Sequence, residues 1–94
     1  VIRENTVINA KGGGIVGTFY GTLVEHNVCN FNGAGINIGS GQHITIFDNS
    51  TYMNEGPGLI AENSDTCYVI RHKSLSDNTS NTFWRSSVVL GGYK

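Results

Sequence analysis

The chain has 94 residues, a formal net charge of −1 and 14% charged residues, against about 25% in ordinary soluble domains. The length suits one domain, and the near-neutral charge provides no basic field for phosphates, so nucleic acid is not expected as a partner. No apolar run approaches the roughly 18 residues that cross a bilayer, so no membrane span is expected.

A five-residue phrase recurs along the chain. It reads VIREN at 1–5, LVEHN at 23–27, TIFDN at 45–49 and VIRHK at 69–73. The phrase ends in Asn5, Asn27 and Asn49, at intervals of 22 residues, and Lys73 takes the fourth place after 24. A fixed period of this length indicates a repeat architecture. The apolar positions that keep the same spacing are Ile2, Val24, Ile46 and Ile70.

Three short apolar stretches follow one another within each repeat, separated by Gly and Asn. The first is the recurring phrase, and the second lies two residues past its last position. The third follows a small residue. Stretches of three to five residues are too short for helices and predict strands. The second stretch contains Val7, Cys29, Thr51 and Leu75, and the third contains Ile15, Ile36, Leu59 and Val88.

A coil of about 22 residues with three short strands is typical of a parallel β-solenoid, an all-β fold. Each coil buries its apolar face by stacking on the next at about 4.8 Å. The Asn column is expected to be buried, to pass amide hydrogen bonds between coils and to supply the left-handed residue of a tight corner. Lys73 would interrupt it, since an ammonium accepts no hydrogen bond. A β-sandwich with coincidental spacing is the alternative.

Residues 1–94 are expected to form a single segment of a longer solenoid, because the chain starts at Val1 without an initiator Met. The last repeat is longer than the others, and an inserted loop is expected at 76–87, on a face that often binds ligands. An alternative alignment makes 82–84 the strand but places Arg85 in the core. We expect Cys29 and Cys67 to be free and buried, because they fall at different points of non-adjacent coils.

The residue before the Asn column alternates between acid and histidine. Stacking would set an imidazole beside a carboxylate, an arrangement suited to proton transfer, and we take His26, Asp48 and His72 as candidate catalytic residues. The same three could instead bind a metal. A third explanation is that opposite charges are stacked to avoid like-charge columns. No cofactor is expected, since AKGGGIVG at 10–17 lacks the Lys-Ser/Thr of a phosphate-binding loop.

The expected loop carries an indole beside a guanidinium, at Trp84 and Arg85. This pair suits sugar rings and carboxylated sugars, through stacking and a bidentate hydrogen-bonded contact. We therefore take Trp84, Arg85 and Arg71 as candidate substrate-binding residues. The alternative is that Phe83 and Trp84 cover the flank of the solenoid. Asn78-Thr79-Ser80 also fits the glycosylation pattern, which would apply in a source that glycosylates.

The I-x-x-N corner and the strand GINI at 35–38 resemble the right-handed parallel β-helix repeat proteins of the pectin-lyase-like superfamily. NEGPGLIAE at 54–62, VIRHKSLSDN at 69–78 and VVLGG at 88–92 look like a group of secreted microbial β-helix proteins. The resemblance implies a right-handed parallel β-helix, here of about four coils of 22–24 residues. It also implies an extracellular or cell-surface location and a polysaccharide or glycan partner.

The enzyme motifs of that superfamily are incomplete in this chain. The Asn-Thr-Asp, Asp-Asp and Gly-His-Gly elements of polygalacturonases and the Asp-Pro-His-Asp of mannuronan epimerases do not occur. One group of alginate and chondroitin lyases is echoed by KS at 73–74, NTF at 81–83 and LGG at 90–92, and this likeness would make Lys73 a base. The Arg and His of its last element are missing, so the sequence leaves catalysis open.

Two functions follow as expectations. The first is an extracellular carbohydrate-active or carbohydrate-binding module. The second is a structural or adhesive module of a fibre, spike or surface coat, which self-associates through its coil ends without catalysis.

Overall fold

The computed structural model describes residues 1–61, 64–79 and 88–90, and within these ranges every regular element is a strand. No helix in this part of the chain is long and apolar enough to cross a bilayer. The strands are β1 Ile2–Arg3, β2 Thr6–Ile8, β3 Gly13–Tyr20, β4 Leu23–Glu25, β5 Val28–Asn30, β6 Ala34–Phe47, β7 Ser50–Tyr52, β8 Leu59–Ala61, β9 Ser64–Ile70, β10 Lys73–Leu75 and β11 Val88–Leu90.

All strand pairs are parallel, and strands pair with their equivalents one coil away. A seven-stranded sheet has the order β1-β4-β6-β8-β11, with β3 and β9 also pairing with β6. A four-stranded sheet has the order β10-β7-β5-β2. Because each strand is joined to its neighbour in the sheet by a full turn of chain, this topology is a parallel β-solenoid, as the repeat predicted.

The predicted register is confirmed for the first coils and is one residue off in the last. Ile2 lies opposite Val24, and Val24 lies opposite Ile46. Ile46 then faces Val69, so Ile70 is not in this column. From Ile2 to Val69 the chain makes about three turns, rather than the four that were predicted.

Up to β10, the interval between equivalent residues on neighbouring coils changes at three places. It falls from 22 at Ala10–Asn32 to 21 at Gly13–Ala34, and the two later changes each add one residue. In β6, Gly17 of the preceding coil opposes Ile38 but Thr18 opposes Ser40, so a bulge at Gly39 adds one residue. The later shift arises between Asn54 and Leu59: Asn54 accepts from the backbone of Asn32, 22 residues earlier, whereas Leu59 faces Ile36 at an interval of 23. The interval of 23 is then kept through β9 and β10.

The core is a set of stacked aliphatic columns inside the coils. Val24 and Ile46 are fully buried, and Ile2 packs against them at the first coil. The Gly-Ile/Leu column is also confirmed by the pairs Ile15–Ile36, Ile36–Leu59 and Leu59–Val88. The buried apolar residues are Ile15, Val24, Cys29, Ile36, Ile38, Ile44, Ile46, Leu59, Ile60 and Ala61.

The glycines that precede Ile15 and Ile36 are required by close packing across the coil. A Cβ on Gly14 would lie 2.9 Å from Cβ and Sγ of Cys29, and one on Gly35 would lie 2.7 Å from Cγ2 of Thr51. The inward side chains of the four-stranded sheet therefore touch the backbone of the opposite sheet. Cys29 and Cys67 are both free, as predicted, but only Cys29 is buried and Cys67 is partly exposed.

Left-handed residues form the corners, and at the first corner they are not the asparagines of the repeated column. In the first corner Glu4, His26, Asp48 and Arg71 have φ between 52° and 57°. The prediction that the Asn column supplies the left-handed backbone is wrong, because the asparagine follows the corner residue. Two further columns of left-handed residues complete the coil: Asn9, Phe31, Met53 and Ser76, and then Gly21, His43 and Thr66.

The asparagines instead form a buried ladder of hydrogen bonds. Asn27 and Asn49 are each 1% exposed. The backbone N and Nδ2 of Asn5 both donate to Oδ1 of Asn27 at 3.0 Å, and the same two donors of Asn27 reach Oδ1 of Asn49 at 2.9 and 3.0 Å. The fourth place belongs to His72 and not to Lys73, since Lys73 pairs with Ser50.

A second ladder runs along the next corner. The backbone N of Ala10 donates to Oδ1 of Asn32, and the backbone N of Asn32 donates to Oδ1 of Asn54, both at 2.8 Å. Asn54 donates in turn to Oδ1 of Asp77, from its backbone N at 3.0 Å and from Nδ2 at 2.7 Å. The spacing of 22, 22 and 23 residues matches the first ladder.

Candidate functional site

The first corner carries a row of ionisable side chains on the outside of the solenoid. We call Glu25, His26, Asp48 and Arg71 the corner strip. His26, Asp48 and Arg71 occupy the left-handed corner position, and their side chains project outward into solvent. Glu25 is the last residue of β4, next to the corner. The strip therefore crosses three successive coils.

Contacts run along the whole corner strip. The Nη2 atom of Arg71 donates to Oδ2 of Asp48 at 2.9 Å. On its other side this carboxylate lies 3.4 Å from Nε2 of His26. The second ring nitrogen of His26, Nδ1, is 3.6 Å from Oε1 of Glu25, and Glu25 also pairs with Arg3 at 2.8 Å. One imidazole thus lies between two carboxylates, with a guanidinium at each end.

Phe47 forms an aromatic support beneath the corner strip. The guanidinium carbon of Arg71 lies 4.6 Å from the centre of the Phe47 ring, within range of a cation–π contact. The ring of His26 meets Phe47 edge to face, with centroids 5.7 Å apart. Two of the strip side chains are therefore positioned by an aromatic residue as well as by a carboxylate.

Three of the four residues of the corner strip are open to solvent, whereas the Glu25 side chain is only 15% exposed. The side chains of His26, Asp48 and Arg71 are 50%, 33% and 64% exposed, so each keeps polar atoms available to a ligand. Exposed ion pairs contribute little to stability, roughly 0–1 kcal/mol. Chemically, the strip offers carboxylate acceptors, guanidinium donors and an imidazole that can exchange a proton with either neighbour.

His72 does not join this strip. The extra residue of the third coil puts Arg71 at the corner and moves His72 to the place of an inward asparagine, with Nε2 3.3 Å from Oγ1 of Thr51. The predicted alignment of His26, Asp48 and His72 in one column is therefore wrong. Burial lowers the pKa of His72, and the negative charge of Asp77 opposes that shift.

Two of the predicted substrate-binding residues fall outside the described part of the chain. Trp84 and Arg85 lie there, together with residues 80–87 of the predicted loop, so their roles stay predictions. Residues 76–79 continue the coil: Ser76 takes the left-handed corner position and Asp77 the ladder position. Arg71 is the candidate substrate-binding residue that the structure brings to the strip.

The metal alternative has no support in the geometry. Within residues 1–61, 64–79 and 88–90, no group of three His, Cys, Asp or Glu side chains could hold a metal ion. In the strip, the imidazole lies between the carboxylates rather than converging with them on a common point. His72 is turned into the solenoid, away from Asp48.

A buried cluster around Asp77 was not predicted. Asp77 is 8% exposed, and its Oδ2 accepts hydrogen bonds from the hydroxyls of Thr51, at 2.6 Å, and Ser74. Its Oδ1 accepts from Asn54 twice. The sequence signal that could have found it is the second polar column, in which Asn32, Asn54 and Asp77 repeat at 22 and 23 residues.

Known proteins provide no further assignment. Comparisons with protein-family models, with curated proteins and with solved structures find no match to this chain.

Proposed function

We propose that the chain is a glycan-binding segment of an extracellular β-solenoid, similar to the pectin-lyase-like superfamily, and that the corner strip holds an acidic saccharide. The observation that supports this most directly is the contact chain from Glu25 through His26 and Asp48 to Arg71 on an exposed corner. Glycans are bound by fixed sets of donors and acceptors, and this strip presents both on the corners of three stacked coils.

Arg71 is the primary contact for the ligand. Its guanidinium uses Nη2 on Asp48, and the remaining N–H groups can pair with a sugar carboxylate in bidentate geometry. The Phe47 ring holds the guanidinium plane from below. Asp48 and Glu25 lie on neighbouring coils, which are about 4.8 Å apart. Their carboxylates then accept hydrogen bonds from the hydroxyl groups of the sugar.

Proton transfer is the catalytic extension of this proposal. The imidazole of His26 has one nitrogen near Asp48 and the other near Glu25. When one nitrogen takes a proton from a bound sugar, the N–H group at the other nitrogen faces a carboxylate, which stabilises the positive charge on the ring. In this form of the proposal His26 and Asp48 are the catalytic residues and Arg71 holds the substrate.

A glycan array tests the proposal. Wild-type chain is compared with Arg71→Ala and with Lys11→Ala, which removes an exposed cation elsewhere on the solenoid. We expect binding to carboxylated glycans to fall about tenfold or more in Arg71→Ala, as for loss of a charged hydrogen-bonding partner, and to persist in Lys11→Ala. If the wild-type chain binds no glycan, or both variants bind like wild type, the proposal is wrong.

The second candidate, a structural or adhesive module, is favoured by a different face. The outer side of the four-stranded sheet and the corner that follows it expose apolar side chains: Ile8, Tyr52 and Leu75 on the strands, and Phe31 and Met53 at the corner. Such a patch is typical of a contact surface. Sedimentation at rising protein concentration tests it: association that is abolished by Tyr52→Ser with Leu75→Ser would support the structural function, and a monomer at all concentrations would reject it.

A further inference from the structure

His72 occupies a ladder position that is asparagine in each of the three preceding coils. Asn5, Asn27 and Asn49 each have an amide there, and the amide of Asn27 both accepts from Asn5 and donates to Asn49. An imidazole at this position has two ring nitrogens and, when neutral, one hydrogen to place on them. The protonation state of His72 therefore decides whether the fourth member of the column fits its surroundings.

The hydrogen bonds of Thr51 determine which nitrogen of His72 carries that hydrogen. The single hydroxyl hydrogen of Thr51 is donated to Oδ2 of Asp77, at 2.6 Å. The Oγ1 atom must therefore accept from Nε2 of His72, 3.3 Å away. A relay results, in which His72 donates to Thr51 and Thr51 donates to the buried carboxylate.

The other nitrogen, Nδ1, is enclosed. It is buried and has no hydrogen-bond partner among the described residues. In the neutral imidazole it bears a lone pair and leaves no donor unpaired. Protonation at this atom would place an N–H group and a positive charge where the described part of the chain provides no acceptor, and both are costly when buried.

We propose that His72 is an acid-sensitive switch within the fold, whose protonation at Nδ1 weakens the packing of the coil at residues 72–79 onto the coil that contains β7. The segment that would loosen carries β10 and Asp77, which together provide the contacts to Ser50, Thr51 and Asn54. The switch lies inside the solenoid and is separate from the corner strip.

The charged groups around His72 can be named for the described residues. Asp77 is the titratable group that faces it, and its negative charge favours protonation. The flanking cations point elsewhere: Arg71 pairs with Asp48, and the exposed Lys73 lies on the outer side of β10. Burial outweighs the attraction of Asp77, so the pKa of His72 is lowered.

The direction of the pH effect follows from this lowered pKa. In the unfolded chain the pKa of His72 is close to the ordinary value of about 6.5. The unfolded state therefore binds a proton at a higher pH than the folded state does. The contribution of neutral His72 to the free energy of unfolding is therefore fully present above about pH 6.5. It is lost as the pH falls toward the pKa of His72 in the folded chain, and the folding constant decreases by up to about tenfold per pH unit.

Denaturant unfolding between pH 7.5 and pH 5 tests the switch, with His72→Asn as the principal variant. Asparagine restores the residue of the other coils, so we expect its stability to change little over this range while wild type loses stability. His43→Asn is the matched control, because it removes an exposed histidine outside both the corner strip and the ladder, and we expect it to keep the pH dependence of wild type. Equal pH dependence in wild type and His72→Asn would overturn the proposal.

A measurement on the wild-type chain covers the case in which His72→Asn does not fold. Long-range nitrogen–proton NMR spectra of the imidazoles report both the tautomer and the pKa of each histidine. We expect His72 to carry its hydrogen on Nε2 and to titrate below about 6.5. A hydrogen on Nδ1, or titration at or above that value, would overturn the proposal independently of any variant.

Discussion

The Nδ2 group of Asn27 donates to Oδ1 of Asn49 at 3.0 Å, across one full turn of the solenoid. The same Nδ2 also donates to the backbone oxygen of Ile2, on the coil before. One fully buried side chain therefore ties three successive coils together. Because a buried polar group without its partner is costly, the ladder contributes to the specificity of the register as well as to stability.

Replacing this asparagine should be strongly destabilising. Asn27→Ala leaves the carbonyl of Ile2 and the donors of Asn5 without their partner, and we expect a loss of about 3 kcal/mol in the free energy of unfolding. The control is Asn5→Ala, in the same column but exposed, for which about 1 kcal/mol is expected. Urea unfolding measures both, and similar losses in the two variants would contradict the ladder's role.

A matched pair of glycines tests the close approach of the two sheets. A Cβ on Gly35 would meet Cγ2 of Thr51 at 2.7 Å and would also collide with the backbone oxygen of Gly58, so Gly35→Ala should cost at least about 3 kcal/mol. Gly12 has open space around it, and Gly12→Ala should change stability by less than about 1 kcal/mol. Thermal unfolding followed by circular dichroism separates the two, and an equally stable Gly35→Ala variant would refute the packing described.

The charge of Asp77 should be detectable at His72. Asp77→Asn removes the negative charge that favours the imidazolium, so the pKa of His72 should fall further below its ordinary value. Histidine titration by NMR measures this shift. Asp48→Asn is the control, because Asp48 contacts Arg71 and His26 instead. A higher pKa of His72 in Asp77→Asn would show that the two side chains do not interact as described.

The thiol of Cys29 should be chemically inert in the folded chain. Burial raises its pKa to about 11, and the thiolate is the form that reacts. At pH 8 we expect a thiol reagent to label Cys29 more slowly than the partly buried Cys67, and to label both rapidly in denaturant. Mass spectrometry after timed quenching locates the label, and rapid labelling of Cys29 under native conditions would contradict its burial.

The period of the sequence predicted the fold because apolar residues at a fixed interval have to share one interior. Ile2, Val24 and Ile46 are aligned as expected, as are the Gly-Ile/Leu pairs up to Val88. The last coil was placed one residue off because both Val69 and Ile70 are apolar, and VIR at 69–71 repeats the letters of 1–3. The corner decides the register, and it falls on Arg71.

The site was predicted only in part, for the same reason. The contact between His26 and Asp48 follows from the interval of 22 residues and is present. His72 was assigned to the strip, and the single added residue between Asn54 and Leu59 turns it inward. The left-handed conformation was attributed to the asparagines because that residue type tolerates it. Here their amides are used in the ladder, and Glu4, His26, Asp48 and Arg71 adopt it instead.

Asp77 is the member of the second ladder whose side chain accepts hydrogen bonds but cannot donate one to a further coil. Every asparagine in this ladder can accept a hydrogen bond from the preceding coil and has an N–H group that can donate to the next one. An additional coil of the same type could therefore be inserted before Asp77 without interrupting the ladder. An ionised carboxylate only receives, and both oxygens of Asp77 are already occupied. Lengthening the solenoid by engineering should therefore succeed before this aspartate. Beyond it only the backbone N–H of residue 77 can continue the ladder, and asparagine at this position would restore the side-chain donor.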